Sequence, residues 1–345
     1  MGNRSMNEPN VTRRSFLRAP AAAAALAGVA PFLLSAQSSH GAGLAGAGIP
    51  QAGGARDDVV IERDLPGKPN AGKVLAAIQP HADDIPLFAG GLVAKLIREG
   101  YTGYLIRTTI DDAAGPGVGA ESVIANYRDN LEVARELGLK KAYDLNYRNH
   151  QMDGVERLEY RARLIFLIRL LKIDTVICYD PWGAYEENPD HYFTAQGVEA
   201  ACWMAGGDKD YPEHFDAGLQ PHSVTTKYYH ARGPQLVNRV VDIGSVIDTK
   251  VAANLANKAQ GPAGETGAKL RARLALEGKR LPMLGNDDAT ANREYIKQVV
   301  LKRDRELGAK YGLQFAEAYH YIGPSTAGAE LEELIRRNAV SSRRE

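Results

Sequence analysis

The chain has 345 residues, of which 44% are hydrophobic and 24% charged, and its Lys plus Arg and its Asp plus Glu balance at 42 each. This balance provides no basic field, so nucleic acid is excluded as the expected partner. Beyond residue 36 no segment is long and apolar enough to cross a bilayer, and two cysteines are too few for a disulfide framework.

The N-terminal segment predicts export. Residues 12–18 read Thr-Arg-Arg-Ser-Phe-Leu-Arg, a twin-arginine pattern, and a moderately apolar run follows at 19–34. We therefore expect residues 1–36 to be a cleaved twin-arginine signal peptide and the mature protein to be periplasmic or extracellular; the alternative is an uncleaved membrane anchor. Residues 37–72, which begin as a stretch of Gly, Ala and Ser, are predicted to be a flexible linker.

From residue 73 the chain alternates between strand-like and helix-like segments. Short apolar runs predict strands at residues 73–79, 104–110, 142–145 and 174–179. Helical spacing of apolar residues predicts helices at 87–98, 121–137, 157–172 and 190–204. This alternation indicates an α/β fold, a Rossmann-like three-layer sandwich in which a mostly parallel sheet carries helices on both faces.

After about residue 206 the alternation loosens into a C-terminal extension of the same domain. Further strands are predicted at residues 223–231, 237–243 and 314–322, and further helices at 247–259, 261–280 and 292–311. We place the domain at residues 73–324 and expect 325–345 to be a polar surface tail. The segment after residue 260 contains no chemical motif, and we expect it to act as a lid or a substrate-side extension.

Two groups of metal-binding side chains follow two of the predicted strands. Residues 80–84, Pro-His-Ala-Asp-Asp, come directly after the first strand, and the loop after the fourth strand ends at residues 188–191, Asn-Pro-Asp-His. In a 3-2-1-4 strand order these two strands are neighbours, and ligands bind outside their carboxyl ends, where the order reverses. The sequence therefore places the two motifs side by side.

Together these motifs predict a zinc site. His81, Asp84 and His191 would supply two imidazoles and one carboxylate and leave one position open for water. Asp83, which is not itself a ligand, would take a proton from that water. Other divalent ions suit the same donors. The simplest alternative is that Asp83 and Asp84 only cap a helix.

These motifs resemble those of the PIG-L (LmbE-like) family of zinc-dependent N-deacetylases, which typically read Pro-His-Pro-Asp-Asp-Glu and His-Pro-Asp-His. The resemblance covers roughly residues 73–260 and includes Asp153-Gly154 after the third strand. It implies an amidohydrolase that removes an N-acyl group, most often N-acetyl, from an amino sugar or glycoconjugate. Carried over by position, the zinc ligands are again His81, Asp84 and His191, with Asp83 as the general base.

The sequence departs from the family pattern at three positions. Ala82 replaces the usual proline and Ile85 the usual glutamate, and neither position supplies a ligand. Asn188 stands where the family commonly has a histidine that stabilises the oxyanion; an asparagine amide donates a hydrogen bond there but no proton. Acid catalysis would then fall to Asp83 or His150.

Asp190 and several candidate substrate-binding residues complete the expected site. Asp190 is expected to orient a neighbouring group. Asp111 and Asp112, at the end of the second strand, could bond sugar hydroxyls, although solvated loop carboxylates look the same in a sequence. The other expected substrate contacts are Arg128 on the second helix, His150, and an apolar wall of Trp182 and Tyr185.

Two other functional classes compete with the zinc amidohydrolase. A non-catalytic carbohydrate-binding protein that retains the metal-site geometry stays open because of Asn188. A dinucleotide enzyme is excluded, because the Gly-x-Gly-x-x-Gly at residues 41–46 follows no strand and opens no helix. The expected partner is an N-acylated amino sugar or glycoconjugate, and a homo-oligomer is left open.

Overall fold

The computed structural model describes residues 59–340. The predicted signal peptide, the linker up to residue 58 and the last five residues lie outside the described part. Among residues 59–340 no helix combines the length and the apolar character that a membrane crossing requires.

Eight strands and eleven α-helices are present in the described residues. The strands are β1 (Val60–Glu62), β2 (Val74–Gln79), β3 (Thr102–Thr109), β4 (Lys141–Tyr147), β5 (Thr175–Tyr179), β6 (Thr226–His230), β7 (Arg239–Asp242) and β8 (Ala316–Ile322). The helices are α1 (Asp84–Phe88), α2 (Gly90–Arg98), α3 (Ala120–Glu136), α4 (Arg157–Leu171), α5 (Pro189–Met204), α6 (Glu213–Asp216), α7 (Ile247–Ala256), α8 (Thr266–Leu276), α9 (Asp288–Tyr295), α10 (Lys302–Lys310) and α11 (Ala327–Asn338).

All eight strands form one sheet, in the order β1-β7-β8-β6-β5-β2-β3-β4. β8 runs antiparallel to both of its neighbours, and every other adjacent pair is parallel. The run β4-β3-β2-β5 is the predicted 3-2-1-4 order, with the reversal between β2 and β5. The mostly parallel α/β sheet is therefore confirmed, and the extension after residue 206 adds three strands to that same sheet.

The apolar residues of β2 face two separate cores. Leu75 and Ala77 join a cluster with side chains of α2, α3 and α7, whereas Ala76 and Ile78 join one with side chains of α4 and α5. Successive strand residues point to opposite faces, so a strand covered on both sides must be apolar throughout. Helices thus cover both faces of the sheet, as the three-layer prediction requires.

The predicted linker is wrong in its last part. Val60–Glu62 forms β1, which pairs in parallel with β7 at the edge of the sheet. The Glu62 carboxylate anchors it by accepting hydrogen bonds from Lys95 Nζ at 3.2 Å and from the Tyr228 hydroxyl at 2.9 Å. A three-residue strand is too short to leave a periodic pattern, so its existence depends on these distant partners.

The predicted helix at residues 87–98 is two helices with a break at Ala89. A Glu317 carboxylate from β8 accepts hydrogen bonds from the backbone N–H groups of Gly91 (2.9 Å) and Leu92 (2.8 Å) and so caps α2. A Cβ on Gly91 would lie 2.6 Å from Cγ2 of Ile243, so only glycine permits this approach. Glu317 lies more than two hundred residues away from α2 in the sequence, so the local pattern around Ala89 does not indicate this cap.

His230, at the end of β6, gives the fold a built-in acid sensitivity. The ring is 2% exposed, lies between Phe88 and Tyr179, and has no hydrogen-bond partner for either nitrogen among the described residues. Burial lowers the pKa of His230 to about 3. Between pH 6.5 and 3 the unfolded chain therefore binds a proton that the folded chain does not, and stability falls as the pH falls.

We expect His230→Phe to flatten this acid limb, because phenylalanine keeps the ring and takes up no proton. Relative to pH 7, the wild-type protein should lose on the order of 3 kcal/mol more free energy of unfolding at pH 4 than the variant. Urea unfolding at pH 4, 5 and 7 measures the difference. Parallel pH profiles of the unfolding free energy for the two proteins would show that the His230 imidazole does not cause the acid sensitivity.

Candidate metal centre and active site

Three side chains from the two predicted motifs converge at the carboxyl ends of β2 and β5. Nδ1 of His81 lies 3.1 Å from Nε2 of His191 and 3.4 Å from Oδ2 of Asp84, and Nε2 of His191 lies 3.6 Å from Oδ1 of Asp84. All three residues are buried. Zinc bonds of about 2.0–2.1 Å in a tetrahedral site place neighbouring donors roughly 3.3 Å apart, so these separations fit a metal.

A carboxylate lies behind each imidazole. Nε2 of His81 lies 3.0 Å from Asp190, and Nδ1 of His191 lies 3.1 Å from Glu186. Metal-binding histidines ordinarily direct their second nitrogen to such a group, which fixes the tautomer and aims the first nitrogen at the ion. The donor set and its supports therefore fit a divalent cation.

The same cluster attracts positive charge strongly. Burial lowers the pKa of His81, but the carboxylates of Asp190 and Asp84 outweigh this and raise it well above 6.5. Burial opposes ionisation of Asp84, yet His191 and His81 hold its pKa far below the usual value. A divalent cation that binds here would displace the proton that these carboxylates favour on His81.

The helix-cap interpretation of the Asp-Asp pair is wrong. Asp83 occupies the N-cap position of α1, but its side chain makes no capping hydrogen bond. Oδ2 of Asp84 accepts from the backbone N–H of His81 at 2.8 Å, and Oδ1 accepts from the Tyr179 hydroxyl at 2.7 Å. These bonds aim the Asp84 carboxylate at the two histidines and away from the helix.

Asp83 lies in a cavity of about 380 Å³ beside the three converging side chains. Burial, and then the charge of Asp84, raise the pKa of Asp83 to about 7. A loop after α7 lies against it: a Cβ on Gly261, whose φ is +76°, would lie 2.7 Å from Oδ2 of Asp83. The carboxylate of Asp129 holds this loop through the backbone N–H groups of Lys258 and Ala259, both at 2.6 Å.

Asn188 lines the same cavity and is the N-cap of α5. Its Oδ1 accepts a hydrogen bond from the backbone N–H of Asp190 at 2.9 Å. With the oxygen committed to the helix end, the amide nitrogen is the part that can serve a ligand, and no described residue accepts from it. This arrangement is compatible with the donor role expected from the sequence.

Asp190 supports the centre and binds nothing in the cavity. Its fully buried carboxylate accepts from His81, from the backbone N–H of His150 at 2.7 Å and from that of Met152 at 3.3 Å. Burial raises its pKa, but the hydrogen bonds from His81 and the backbone outweigh this and hold it below the usual value. His150 has an exposed side chain on the cavity wall and a backbone tied to this carboxylate.

The structure removes three predicted substrate contacts from the cavity. Asp111 is 0% exposed, and its carboxylate accepts from the backbone N–H of Ala82 at 3.1 Å and from Arg107 at 2.8 Å, so it supports the His81 loop. Asp112 is bonded to Arg148 and to the backbone N–H of Asn149. Arg128 is exposed on α3 and does not line the cavity.

The predicted aromatic wall is also not part of the cavity lining. Trp182 is 58% exposed and packs against Tyr229 and His320, and Tyr185 is 87% exposed with a left-handed backbone (φ +61°). Both rings belong to the loop between β5 and α5. The place of a residue in an irregular loop does not determine the direction of its side chain.

Three further side chains belong to the site and are not indicated by the sequence motifs. Glu186 lies behind His191, and Arg232 bonds Glu186, with Nε at 3.1 Å from Oε2, on the cavity wall. Burial opposes ionisation of Glu186, but His191 and Arg232 lower its pKa to about 2. Gln260 also lines the cavity, and its Nε2 is buried with no partner among the described residues. The position of Arg232 could have been predicted from the sequence, because it follows β6, whose carboxyl end lies beside that of the parallel strand β5.

Comparison with known proteins agrees with this geometry. The family model described as PIG-L, GlcNAc-PI de-N-acetylase, matches residues 76–202, which contain both motifs. The diacetylchitobiose deacetylase of Thermococcus kodakarensis is 30% identical over 195 residues, covering 55% of this chain and 71% of that protein. The chain thus combines an α/β sheet that carries a His-Asp-His cluster at its carboxyl edge with a sequence relative that is a deacetylase. The chain belongs to the PIG-L family of N-deacetylases, which are hydrolases of amide bonds.

Solved structures show the same fold. The N,N'-diacetylchitobiose deacetylase of Pyrococcus horikoshii matches with a TM-score of 0.58 at 24% identity, covering 73% of this chain and 84% of that one. The 4-carboxy-2-hydroxymuconate hydratase of Pseudomonas putida KT2440 matches with a TM-score of 0.53 at 16% identity, covering 73% and 97%. At these identities the matches establish the fold alone, and a hydratase among them shows why the reaction must be argued from the site.

Proposed function

We propose that the protein is a zinc-dependent N-deacetylase that removes the N-acyl group, most often acetyl, from an amino sugar or glycoconjugate. The observation that carries the proposal is the convergence of His81, Asp84 and His191 in one cavity with the half-buried carboxylate of Asp83. The Thermococcus relative named as a diacetylchitobiose deacetylase supports the choice of an N-acetylated sugar.

A divalent cation held by His81, Asp84 and His191 would supply positive charge that polarises the acyl carbonyl and acidifies the attacking water. Asp83, whose carboxylate lines the same cavity as the three converging side chains, accepts the proton of that water as the new C–O bond forms. The amide of Asn188 donates a hydrogen bond to the carbonyl oxygen as negative charge develops there. Asp83 then returns its proton to the leaving nitrogen, and the C–N bond breaks to give a carboxylic acid and an amine, which exchange a proton to become a carboxylate and an ammonium ion.

The test of the proposal is release of free amine and acetate from N-acetylglucosamine and from N,N'-diacetylchitobiose. Equal amounts of the two products, formed by the zinc-loaded protein, are the expected result. A protein that carries stoichiometric zinc but releases amine from no N-acyl sugar would overturn the proposal. Sugar binding without amine release would instead favour the non-catalytic carbohydrate-binding protein that Asn188 leaves open.

Asp190→Asn should weaken zinc binding by about 10–100-fold, since it removes the carboxylate that orients His81. An asparagine at this position must present an N–H group to His81 or to the backbone amide of His150, both of which need an acceptor. Competition with a chromogenic chelator measures the affinity. Asp180→Asn is the matched control, because Asp180 is also buried but bonds Trp182 and His320 instead. Equal affinities in the two variants would contradict the assigned role.

We also propose that the protein is exported in folded form and acts in the periplasm or outside the cell. The support is the twin-arginine pattern of residues 12–18, which lies outside the described residues. Changing Arg13 and Arg14 together to lysine should retain the protein in the cytoplasm of the expressing bacterium with its leader uncleaved. Cell fractionation with immunoblotting measures this, and unchanged export of the double variant would contradict the proposal.

A further inference from the structure

A small cavity lies in the helical hairpin formed by α8 and α9, in the segment after residue 260 that carries no chemical motif. It has a volume of about 230 Å³, its walls come from residues 271–286, and it shares no lining residue with the cavity that contains Asp83. The two helices are closely packed, since a Cβ on Gly267 would lie 2.1 Å from the carbonyl oxygen of Ala291. The hairpin is thus a packed unit, and it holds the walls of the cavity.

Three cationic side chains, Arg271, Lys279 and Arg280, line this cavity. They belong to the segment 268–281, which contains five Lys and Arg residues and one Glu, whereas the charges of the whole chain balance. Positive charge is therefore concentrated in this part of the hairpin, and an anion is the ligand that it attracts.

The charge of two of these side chains is poorly compensated. Arg280 donates from Nη2 to the neutral amide oxygen of Asn286 at 3.1 Å and pairs with no carboxylate of the described residues. Lys279 pairs with Glu277 at 2.9 Å, but both side chains are exposed, so this pair is weak. An anion in the cavity would therefore meet cations that no buried carboxylate neutralises.

Arg271 is held in place and has a free donor. Its Nη1 donates to the backbone carbonyl of Asn286 at 3.3 Å, and its Nη2 donates to the carboxylate of Asp288 at 2.5 Å. Its Nε is buried and has no acceptor among the described residues. A buried N–H group without an acceptor is unfavourable, so a ligand oxygen that accepts from Nε would be stabilised there.

The size and the walls of the cavity favour a small oxyanion. Sites for drug-sized ligands have volumes of about 300–1,000 Å³, so a cavity of about 230 Å³ suits a single small group. Leu274 and Leu281 make part of the lining apolar, which strengthens charge-assisted hydrogen bonds beside them. A phosphate group offers more acceptor oxygens than a carboxylate does, and it matches the fork of a guanidinium group.

We propose that the cavity of the α8–α9 hairpin binds a phosphate group, either as free inorganic phosphate or as a phosphate monoester. Arg271, Lys279 and Arg280 donate hydrogen bonds to the phosphate oxygens. The site lies apart from the candidate active site, and the inference does not depend on the proposed deacetylase function.

The experiment is calorimetric titration of the zinc-loaded protein with inorganic phosphate and, separately, with glycerol 3-phosphate, at constant ionic strength. Arg280→Gln should weaken phosphate binding by about tenfold, because one charge-assisted hydrogen bond is lost while the others remain. Arg280 is exposed and bonds only an asparagine side chain, so the variant should keep its fold.

Arg273→Gln is the matched control, because it removes the same charge from the same hairpin. Arg273 is 68% exposed and does not line the cavity, so its loss should change the affinity by less than about twofold. Dependence on Arg280 for both probes would identify the phosphate group itself as the ligand. Dependence for one probe alone would identify the free or the esterified form.

Equal affinities of the wild-type protein and both variants would overturn the proposal, since phosphate would then bind elsewhere, for example at the metal centre. Equal weakening by the two substitutions would also overturn it, because the cause would then be a diffuse positive field. The same conclusion would follow if neither probe bound to the wild-type protein.

Discussion

Asp83→Asn should lower kcat for N-acyl hydrolysis by about 10²–10⁴-fold, the range that a positioned general base contributes. Asparagine has nearly the same shape but cannot take a proton from water or return one to the leaving amine. Asp83 makes no cap hydrogen bond in α1, so the substitution costs the fold little. Zinc content should stay the same, since the converging donors are His81, Asp84 and His191.

Asp112→Asn is the matched control for this substitution. Asp112 follows the neighbouring strand β3, but its carboxylate does not line the cavity and bonds Arg148 and the backbone N–H of Asn149, so kcat should change by less than about threefold. Steady-state kinetics and metal analysis on the same preparations give both quantities. If Asp83→Asn retained full zinc and most of its kcat, another group would have to be the base.

Lys250→Met should cost about 3–5 kcal/mol of unfolding free energy, the usual effect of removing one partner from a buried ion pair. Nζ of Lys250 is completely buried and lies 2.6 Å from both Asp304 and Glu317. Without the lysine, the buried carboxylates of Asp304 and Glu317 have no cation between them. Glu317 also caps α2, which follows the His81–Asp84 segment. The loss should become smaller as the pH falls through 6, because burial raises the pKa of Asp304 to about 6 and removal of the lysine charge raises it further, so that Asp304 takes a proton there.

Lys302→Met serves as the comparison for the buried lysine. Lys302 pairs with Glu306 at 3.5 Å with both side chains 63% exposed, so its removal should change stability by less than about 0.5 kcal/mol. Urea unfolding of the two variants at pH 7 and pH 4.5 measures the difference. Equal stabilities at pH 7 would show that the buried cluster contributes nothing to the fold.

The central sheet was predictable because its strands carry local signals. β2 to β5 are short apolar runs separated by helices of normal length, and the crossover rule for parallel strands leaves few orders to choose from. β1 and the break at Ala89 depend on Glu62 and Glu317, which act across the sheet and leave no periodic trace.

The part of the site that follows directly from the strands was also predictable, whereas the part formed by loop side chains was not. The residues that the structure brings together, His81, Asp83, Asp84 and His191, follow strand ends, where topology alone sets position. The direction of a loop side chain is not set that way, and Asp111 and Trp182, which the sequence places near the substrate, do not line the cavity. Gln260 lines the cavity from a loop that Asp129 holds, a contact between segments 129 residues apart that no local pattern indicates.

The most direct test of the account is titration of zinc into chelator-treated protein while amine release from N,N'-diacetylchitobiose is followed. We expect no release without metal, a linear rise in activity up to one equivalent, and no recovery in His81→Ala or His191→Ala. Hydrolysis by the metal-free protein, or full recovery in either histidine variant, would contradict it.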